Sequence, residues 1–278
     1  SRQALLDRAN AMATRVRSLD AQFKSIGVEV NAKIEGNVRE VNRLSGEIAR
    51  LNEEIVRQRG LAGGQQPNDL LDQRERLIQE LSAKAGVVTA MQEDGAINVF
   101  TGGGQSLVVG TKAQALTTVA DPFRPERREL ALQSPSGPVP LGPGTLGGEL
   151  GGLLEFRSQV LDPAASQLGR IAATVAYTVN AQHRQGMDLY GQMGGDFFRP
   201  ITANVSPHAL NTGGASLSGA LADPAAFDGI DAVLTFDGAS WSAVRRDNGQ
   251  PVTLTGAGTA ADPLRVGGMA LVVSGSAA

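Results

Sequence analysis

A run of apolar residues spaced alternately by four and three constrains this chain more than any other feature. Leu5, Ala9, Met12, Val16, Leu19, Phe23, Ile26 and Val30 line one side of a helix, the pattern a helix shows to a packing partner. From Val30 the steps to Ile34, Val38 and Val41 are four, four and three, an insertion among heptads, before Leu44, Ile48, Leu51 and Ile55 resume the repeat. Such a stutter locally relaxes left-handed supercoiling, so a partner helix is expected to run straighter there. At a rise of about 1.5 Å per residue the stripe from Leu5 to Ile55 would extend on the order of 75 Å, which builds a rod, and the helix that carries it is expected over about 4–58.

The rest of the chain is read against that rod. Charged positions Glu29 and Lys33, Glu35 and Arg39, and Glu53 and Arg57 are spaced for pairing on its solvated face. Gly27 and Gly36 each weaken a helix interior by about 1 kcal/mol, so a break is expected to be easiest there. The run ends in Gly60-Leu61-Ala62-Gly63-Gly64, a loop signal. A second helix is expected over about 68–85, with Pro67 before it, Asn68 or Asp69 as its cap and Gly86 at its left-handed end. Its stripe of Leu70, Leu71, Leu77, Ile78 and Leu81 must fold back antiparallel on the first helix.

Between 87 and 146 the apolar period drops to two. Val87–Met91 and Ala96–Thr101 flank Asp94-Gly95 as a hairpin, Gly102-Gly103-Gly104 turns into Ser106–Val109, and a weaker strand covers Glu129–Gln133. A third helical run over about 147–185 carries Leu150, Leu153, Leu154, Leu161, Leu168 and Ile171, interrupted at Pro163. Asp162 as a cap with Pro163 in the first turn leaves two readings open, abutting helices or one kinked helix. Beyond a glycine-rich loop, residues 199–230 read as loop, and Ala232–Phe236, Trp241–Arg245, Val252–Thr255 and Leu264–Val273 read as a β-meander. The expected class is α+β multidomain. An elongated bundle of long antiparallel helices with a small β-hairpin region occupies 1–198, with its β insertion at about 87–146, and a separate antiparallel β domain occupies 199–278.

Composition removes several functions. With no cysteine there is no disulfide, thiolate metal site or cysteine nucleophile. A net charge of -3 gives no reason to expect nucleic acid, and no apolar run reaches the length of a membrane-spanning helix. Gly142-Pro143-Gly144-Thr145-Leu146-Gly147 matches the glycine spacing of a dinucleotide-binding turn, but the helical pattern after it continues to about 184 where a short helix and a second strand are required. Prolines at 138, 140 and 143 also oppose a central strand. Gly102-Gly103-Gly104 joins strand to strand and lacks the lysine of a phosphate loop.

His183 and His208 have no metal-ligand spacing, and His183 suits the negative end of a helix dipole. Asp188 and Asp196 do not follow a calcium-loop pattern, Asp69 and Asp72 complement a helix start, and Arg124, Arg127 and Arg128 read as a solvated loop. No catalytic, cofactor-binding or metal-binding residue is assigned, and no cofactor is expected.

Four stretches in order resemble one family: Pro67-Asn68-Asp69-Leu70-Leu71-Asp72-Gln73-Arg74, then Leu154-Glu155-Phe156-Arg157-Ser158, then Asn180-Ala181-Gln182-His183, then Gly194-Gly195-Asp196-Phe197-Phe198. With the Phe236-Asp237-Gly238-Ala239-Ser240-Trp241 hairpin, they are similar to the bacterial flagellar hook-associated protein 1 family, the hook-filament junction proteins. The resemblance implies a non-enzymatic structural protein of the flagellum, exported through its hollow core and lying outside the cell. The implied partners are further copies of itself, the hook protein, a second junction protein next to the filament, and an export chaperone acting on a C-terminal segment. The terminal coiled-coil segments of that family have no counterpart here, so this stretch alone is expected to be monomeric. Two alternatives rest on single features: a nicotinamide-dependent enzyme on residues 142–147, and a surface adhesin or binding module on residues 199–278.

Overall fold

The structure, a computed structural model, describes residues 2–61 and 67–276. Helix α1 (Arg2–Leu61) is continuous through Gly27 and Gly36 and longer at both ends than the 4–58 expected. The helix penalty of each glycine is about 1 kcal/mol, small beside the burial of its neighbours Val30, Ile34 and Val38. The Ala62-Gly63-Gly64 part of the expected loop lies outside the described residues. Helix α2 (Asn68–Ala85) follows, then strands β1 (Val87–Met91), β2 (Ile97–Thr101), β3 (Ser106–Val109), β4 (Lys112–Ala113), β5 (Leu116–Ala120), β6 (Arg128–Ser134) and β7 (Gly137–Pro140). Helix α3 (Gly148–Phe156) passes through a π-helical turn (Arg157–Leu161) into α4 (Asp162–Arg184), and β8 (Ser216–Leu221), β9 (Ala232–Phe236), β10 (Trp241–Arg245), β11 (Leu264–Val266) and β12 (Met269–Ser274) complete the chain. The expected α+β class is the one observed.

Packing separates two units, Gln22–Leu161 and the pair of segments Ser1–Ala21 and Asp162–Ala278. In the first, the α1 stripe from Val30 to Ile48 is buried against Ile78, Leu81 and Ala85 of α2, Leu150 of α3, and the inward residues Ile97, Val99, Leu107, Val108, Leu116 and Leu130 of the strands. Asn52 meets Arg74, and Asn37 and Lys84 share Glu149, so α1 and α2 run antiparallel as expected. Glu29 and Lys33 pair at 2.8 Å, whereas Glu35 reaches across to Arg128 at 2.9 Å and Arg57 pairs with Glu54 instead of Glu53. The α2 start differs from expectation. Pro67 takes the cap position, its carbonyl accepting the N–H groups of Leu70 (3.0 Å) and Leu71 (3.1 Å), and Asn68 and Asp69 lie inside the first turn. Gly86 closes the helix at φ +60°, as expected.

The strands form two antiparallel sheets, β1-β2-β3-β4 and β5-β6-β7, larger than the small hairpin region expected. The hairpin around Asp94-Gly95 is as read, with Val87 opposite Thr101 and Met91 opposite Ile97. Strand β7 contains Pro138 and Pro140 and pairs only with β6 among the described strands. The Leu141 N–H donates to Leu130 O at 2.8 Å, so odd positions face β6 and both prolines point their missing donors to the outer edge.

Pro163 is accommodated by the π turn immediately before it. A helix interior proline removes one N–H and crowds the preceding turn, and a π turn widens that register. One uninterrupted helical run is therefore formed, and the abutting-helix reading falls away.

In the second unit, β8 lies in the stretch 199–230 expected to be loop and pairs with β12, giving the sheet β11-β12-β8, while β9 and β10 form a separate pair. This replaces the meander. The stretch Leu264–Val273 is not one strand but two, turned at Gly267 (φ +50°) and Gly268 (φ +78°), because the left-handed backbone there suits glycine. Residues 252–255 contribute no strand; Thr255 makes an isolated bridge to Arg265. Leu264, Val266, Leu271 and Ala243 are buried with Leu234, Trp241 and Met269 around them.

Candidate functional site

The glycine stretch 142–147 is filled by the chain itself. The Gly147 N–H donates to Ala85 O (2.9 Å), the Gly103 N–H donates to Thr145 O (3.0 Å), and a Cβ on Gly86 would lie 2.7 Å from the Gly147 Cα. The glycines allow the α2–β1 connection, the β2–β3 turn and the start of α3 to interlock, so no cradle is left for a pyrophosphate. The triple-glycine turn at 102–104 is a strand connection, as read, with the Gly104 N–H on Thr101 O at 2.9 Å. Among the described residues no three His, Asp or Glu side chains gather as a metal site. Asp188 is a turn residue whose Oδ1 accepts the N–H groups of Tyr190 (2.8 Å) and Gln192 (2.9 Å), and Asp196 pairs with Arg184.

Three polar clasps draw on residues of all four motif stretches. In the first, Asn52 is fully buried on α1 and makes four hydrogen bonds: Nδ2 donates to Ile97 O (2.8 Å) and Gly110 O (2.6 Å), and Oδ1 accepts from the Ile97 N–H (3.1 Å) and Arg74 Nη1 (2.9 Å). Arg74 Nη1 also donates to Gly95 O at 2.8 Å. Burial pushes the Arg74 guanidinium down from its ordinary value. One helix, a second helix and two strand turns are thereby joined.

In the second, Arg157 of the π turn is only 4% exposed. It donates through Nη1 to Arg128 O (2.6 Å) and through Nη2 to Glu129 Oε2 (2.8 Å), while Arg127 Nε donates to Glu129 Oε1 (2.7 Å). The segment holding Arg124, Arg127 and Arg128, read as a solvated loop, is thus tied into the fold. The interleaved acids Glu126 and Glu129 carried the signal: Glu129 bridges two arginines.

In the third, Asn180 on α4 is 3% exposed; its Nδ2 donates to Phe198 O (2.8 Å) and its Oδ1 accepts from the N–H groups of Phe197 (2.9 Å) and Phe198 (2.7 Å). His183 one turn later places Nδ1 2.7 Å from Gly195 O and its ring 5.6 Å from that of Phe197, edge to face. It holds the returning loop as well as standing at the helix end. His208 lies elsewhere, its Nδ1 accepting the Leu210 N–H at 3.1 Å.

Several large apolar side chains are left uncovered. Along the first part of α1, Leu5, Leu6, Met12, Ile26 and Val28 are exposed. The turn beyond α4 presents Met187, Leu189, Tyr190 and Met193, with Leu189 and Tyr190 87% and 90% exposed. That turn is held by the Asp188 bonds, by the Asp188 N–H on Gln192 O (2.9 Å) and by a bridge between Met187 and Met193. Large apolar groups on a preorganised turn fit an interaction surface better than a catalytic one.

Comparison with known proteins supplies the family. The family described as flagellar hook-associated protein FlgK helical domain matches residues 1–198. The chain belongs to the flagellar hook-associated protein FlgK family. Flagellar hook-associated protein 1 of Salmonella typhimurium is 34% identical over 260 residues, covering 92% of this chain and 47% of that protein. The Escherichia coli protein of the same name is 32% identical over 257 residues, with the same coverage. The solved flagellar hook junction protein FlgK from Burkholderia pseudomallei shares 34% identity and superposes with a TM-score of 0.86, covering 99% of this chain and 50% of that one. The chain spans about half the length of the FlgK relatives it matches. FlgK proteins are structural components of the flagellum and not enzymes, and neither the nicotinamide-dependent nor the adhesin alternative finds support among the matches.

Proposed function

We propose that this chain is the structural material of the layer joining hook to filament, assembled from copies of itself and held between neighbouring flagellar proteins outside the cell. The observation that carries the reading is the division of its surface. Arg74, Arg157 and Asn180, the buried polar residues of the motifs, are engaged inside the fold, and the apolar groups of α1 and of the 187–193 turn are left for contacts. The hook protein on one side, a second junction protein on the other and an export chaperone are the partners this role requires. Residues 1–198 form the helical domain with its β insertion and residues 199–278 the distal β domain in this proposal, and the family match ending at residue 198 supports that boundary. The relatives are about twice as long, and a further helix from such a protein would find a packing stripe at Leu5, Met12 and Ile26.

The test is localisation. A full-length version bearing this sequence, produced in a flagellated bacterium that lacks its own junction protein, is expected to restore attached filaments and to appear by electron microscopy between hook and filament. Filament loss despite secretion of the protein, or labelling along the filament, would refute the proposal.

A further inference from the structure

We propose that Asn248 is a site of spontaneous deamidation, at which a neutral side chain on a turn of the distal β region becomes a carboxylate and the backbone is rerouted. Asn248-Gly249 is the only Asn-Gly step among eleven asparagines. Seven of the others lie in α1, α2 or α4 and Asn98 lies in β2, where ladder bonds tie up the backbone, and Asn204 and Asn211 precede the β-branched Val205 and Thr212. Glycine leaves the following amide nitrogen unshielded and its φ and ψ free to rotate.

The chemistry needs only water. The backbone nitrogen of Gly249 attacks Asn248 Cγ, forming a C–N bond and a five-membered imide. The Cγ–Nδ2 bond breaks, and Nδ2 leaves as ammonia with the proton released from Gly249. Water then opens one of the two imide carbonyls, giving aspartate from one cleavage and isoaspartate from the other. The local geometry favours the first step, since the Gln250 N–H donates to Asn248 Oδ1 at 2.9 Å, polarising the side-chain carbonyl and folding it over the backbone toward residue 249. Gly249 already sits at φ +70° on an exposed turn. The bond that restrains it, from its N–H to Arg245 O at 2.9 Å, is a single turn bond at a hairpin end, where local opening is easiest.

The product matters to the turn. A new carboxylate arises beside Asp247, which Arg245 already holds through bonds of 2.9 and 2.6 Å. The isoaspartyl product also inserts a methylene into the backbone between Arg245 and Gln250, whose N–H to O bond of 2.8 Å closes the hairpin.

The experiment is timed incubation of the whole chain in mildly alkaline buffer, followed by peptide mapping by mass spectrometry and labelling with isoaspartyl methyltransferase. The peptide containing Asn248 is expected to gain one mass unit several-fold faster than any other asparagine peptide and to become a methyl acceptor, and Asn248→Gln is expected to remove most of the signal. A urea-unfolded sample supplies the intrinsic rate. Conversion there with none in the folded chain, no conversion in either, or an earlier gain at another asparagine would overturn the proposal.

Discussion

Replacing Asn52 by alanine tests whether the Asn52–Arg74 clasp organises the helical unit. The substitution strips partners from Ile97 N–H, Ile97 O and Gly110 O and takes one acceptor from the buried guanidinium of Arg74. A buried neutral group left unpaired costs about 1–3 kcal/mol, and one facing a charge costs more. With partial rewetting of the Gly110 turn, the expected loss is about 4 kcal/mol, at the upper end of single substitutions. Arg74→Met should lose only about 1–2 kcal/mol, because the burial penalty of the charge disappears with it and Asn52 Oδ1 keeps the Ile97 N–H. The double variant should then fall short of additivity by about 1–2 kcal/mol, the energy of the shared contact. Urea unfolding followed by the helical circular dichroism signal gives these numbers. Trp241, the single tryptophan, lies in β10 of the other unit and reports that region independently. A loss under about 1 kcal/mol for Asn52→Ala, or strict additivity in the cycle, would show that the clasp does not organise this unit.

Four further outcomes follow from other parts of the fold. Asn180→Ala should expose the loop around residues 185–198 to limited proteolysis, because the Phe197 and Phe198 backbone then loses its anchors; unchanged cleavage kinetics would contradict this. Gly86→Ala should lose about 2 kcal/mol or more, from a left-handed backbone carrying a Cβ that would meet the Gly147 Cα, measured as a lower urea midpoint. Lys84, then Asn37, holds the Glu149 carboxyl below its ordinary value, so their stabilisation is complete above the unfolded-state value of about 4.3 and disappears as pH falls below it. Glu149→Gln should therefore flatten that part of the stability profile by no more than about 1 kcal/mol, since the pair is partly exposed. Leu189→Asp with Tyr190→Ser should leave unfolding unchanged but reduce filament attachment in the localisation assay, and full attachment would remove this turn from the contact surface.

What could be read from the sequence divides along local and non-local interactions. The α1 stripe, the Gly86 end of α2 and the Asp94-Gly95 hairpin each depend on residues within a few positions, so spacing and turn chemistry located them. Strand β8 escaped because its partner β12 lies about fifty residues away and its own sequence, Ser-Leu-Ser-Gly-Ala-Leu, has too few β-branched residues to stand out. Strands β11 and β12 read as one in the sequence because the apolar run continues across Gly267-Gly268, whose turn depends on positive φ angles that composition does not mark. Burial of Arg157 was equally hidden. A lone arginine on a helix normally reads as solvated, and only the strand segment at 128–129 folded against it supplies the acceptors.

The motif residues acquire a common physical meaning once their partners are known. Each clasp places a polar side chain on a helix and satisfies it with backbone groups or a carboxylate from an irregular segment: Ile97 and Gly110 for Asn52, Arg128 and Glu129 for Arg157, Phe197 and Phe198 for Asn180. Apolar packing alone tolerates sliding of a turn along a helix, since contacts of similar size recur at successive positions. A buried amide or guanidinium does not, because a displacement of one residue leaves its partners unpaired at about 1–3 kcal/mol each. The clasps therefore fix where each loop sits on its helix. In the junction layer proposed above, where neighbours meet the same surface in every copy, that positional restraint lets the exposed apolar side chains be recognised repeatedly, and it accounts for polar motif residues lying buried in the joints of the fold.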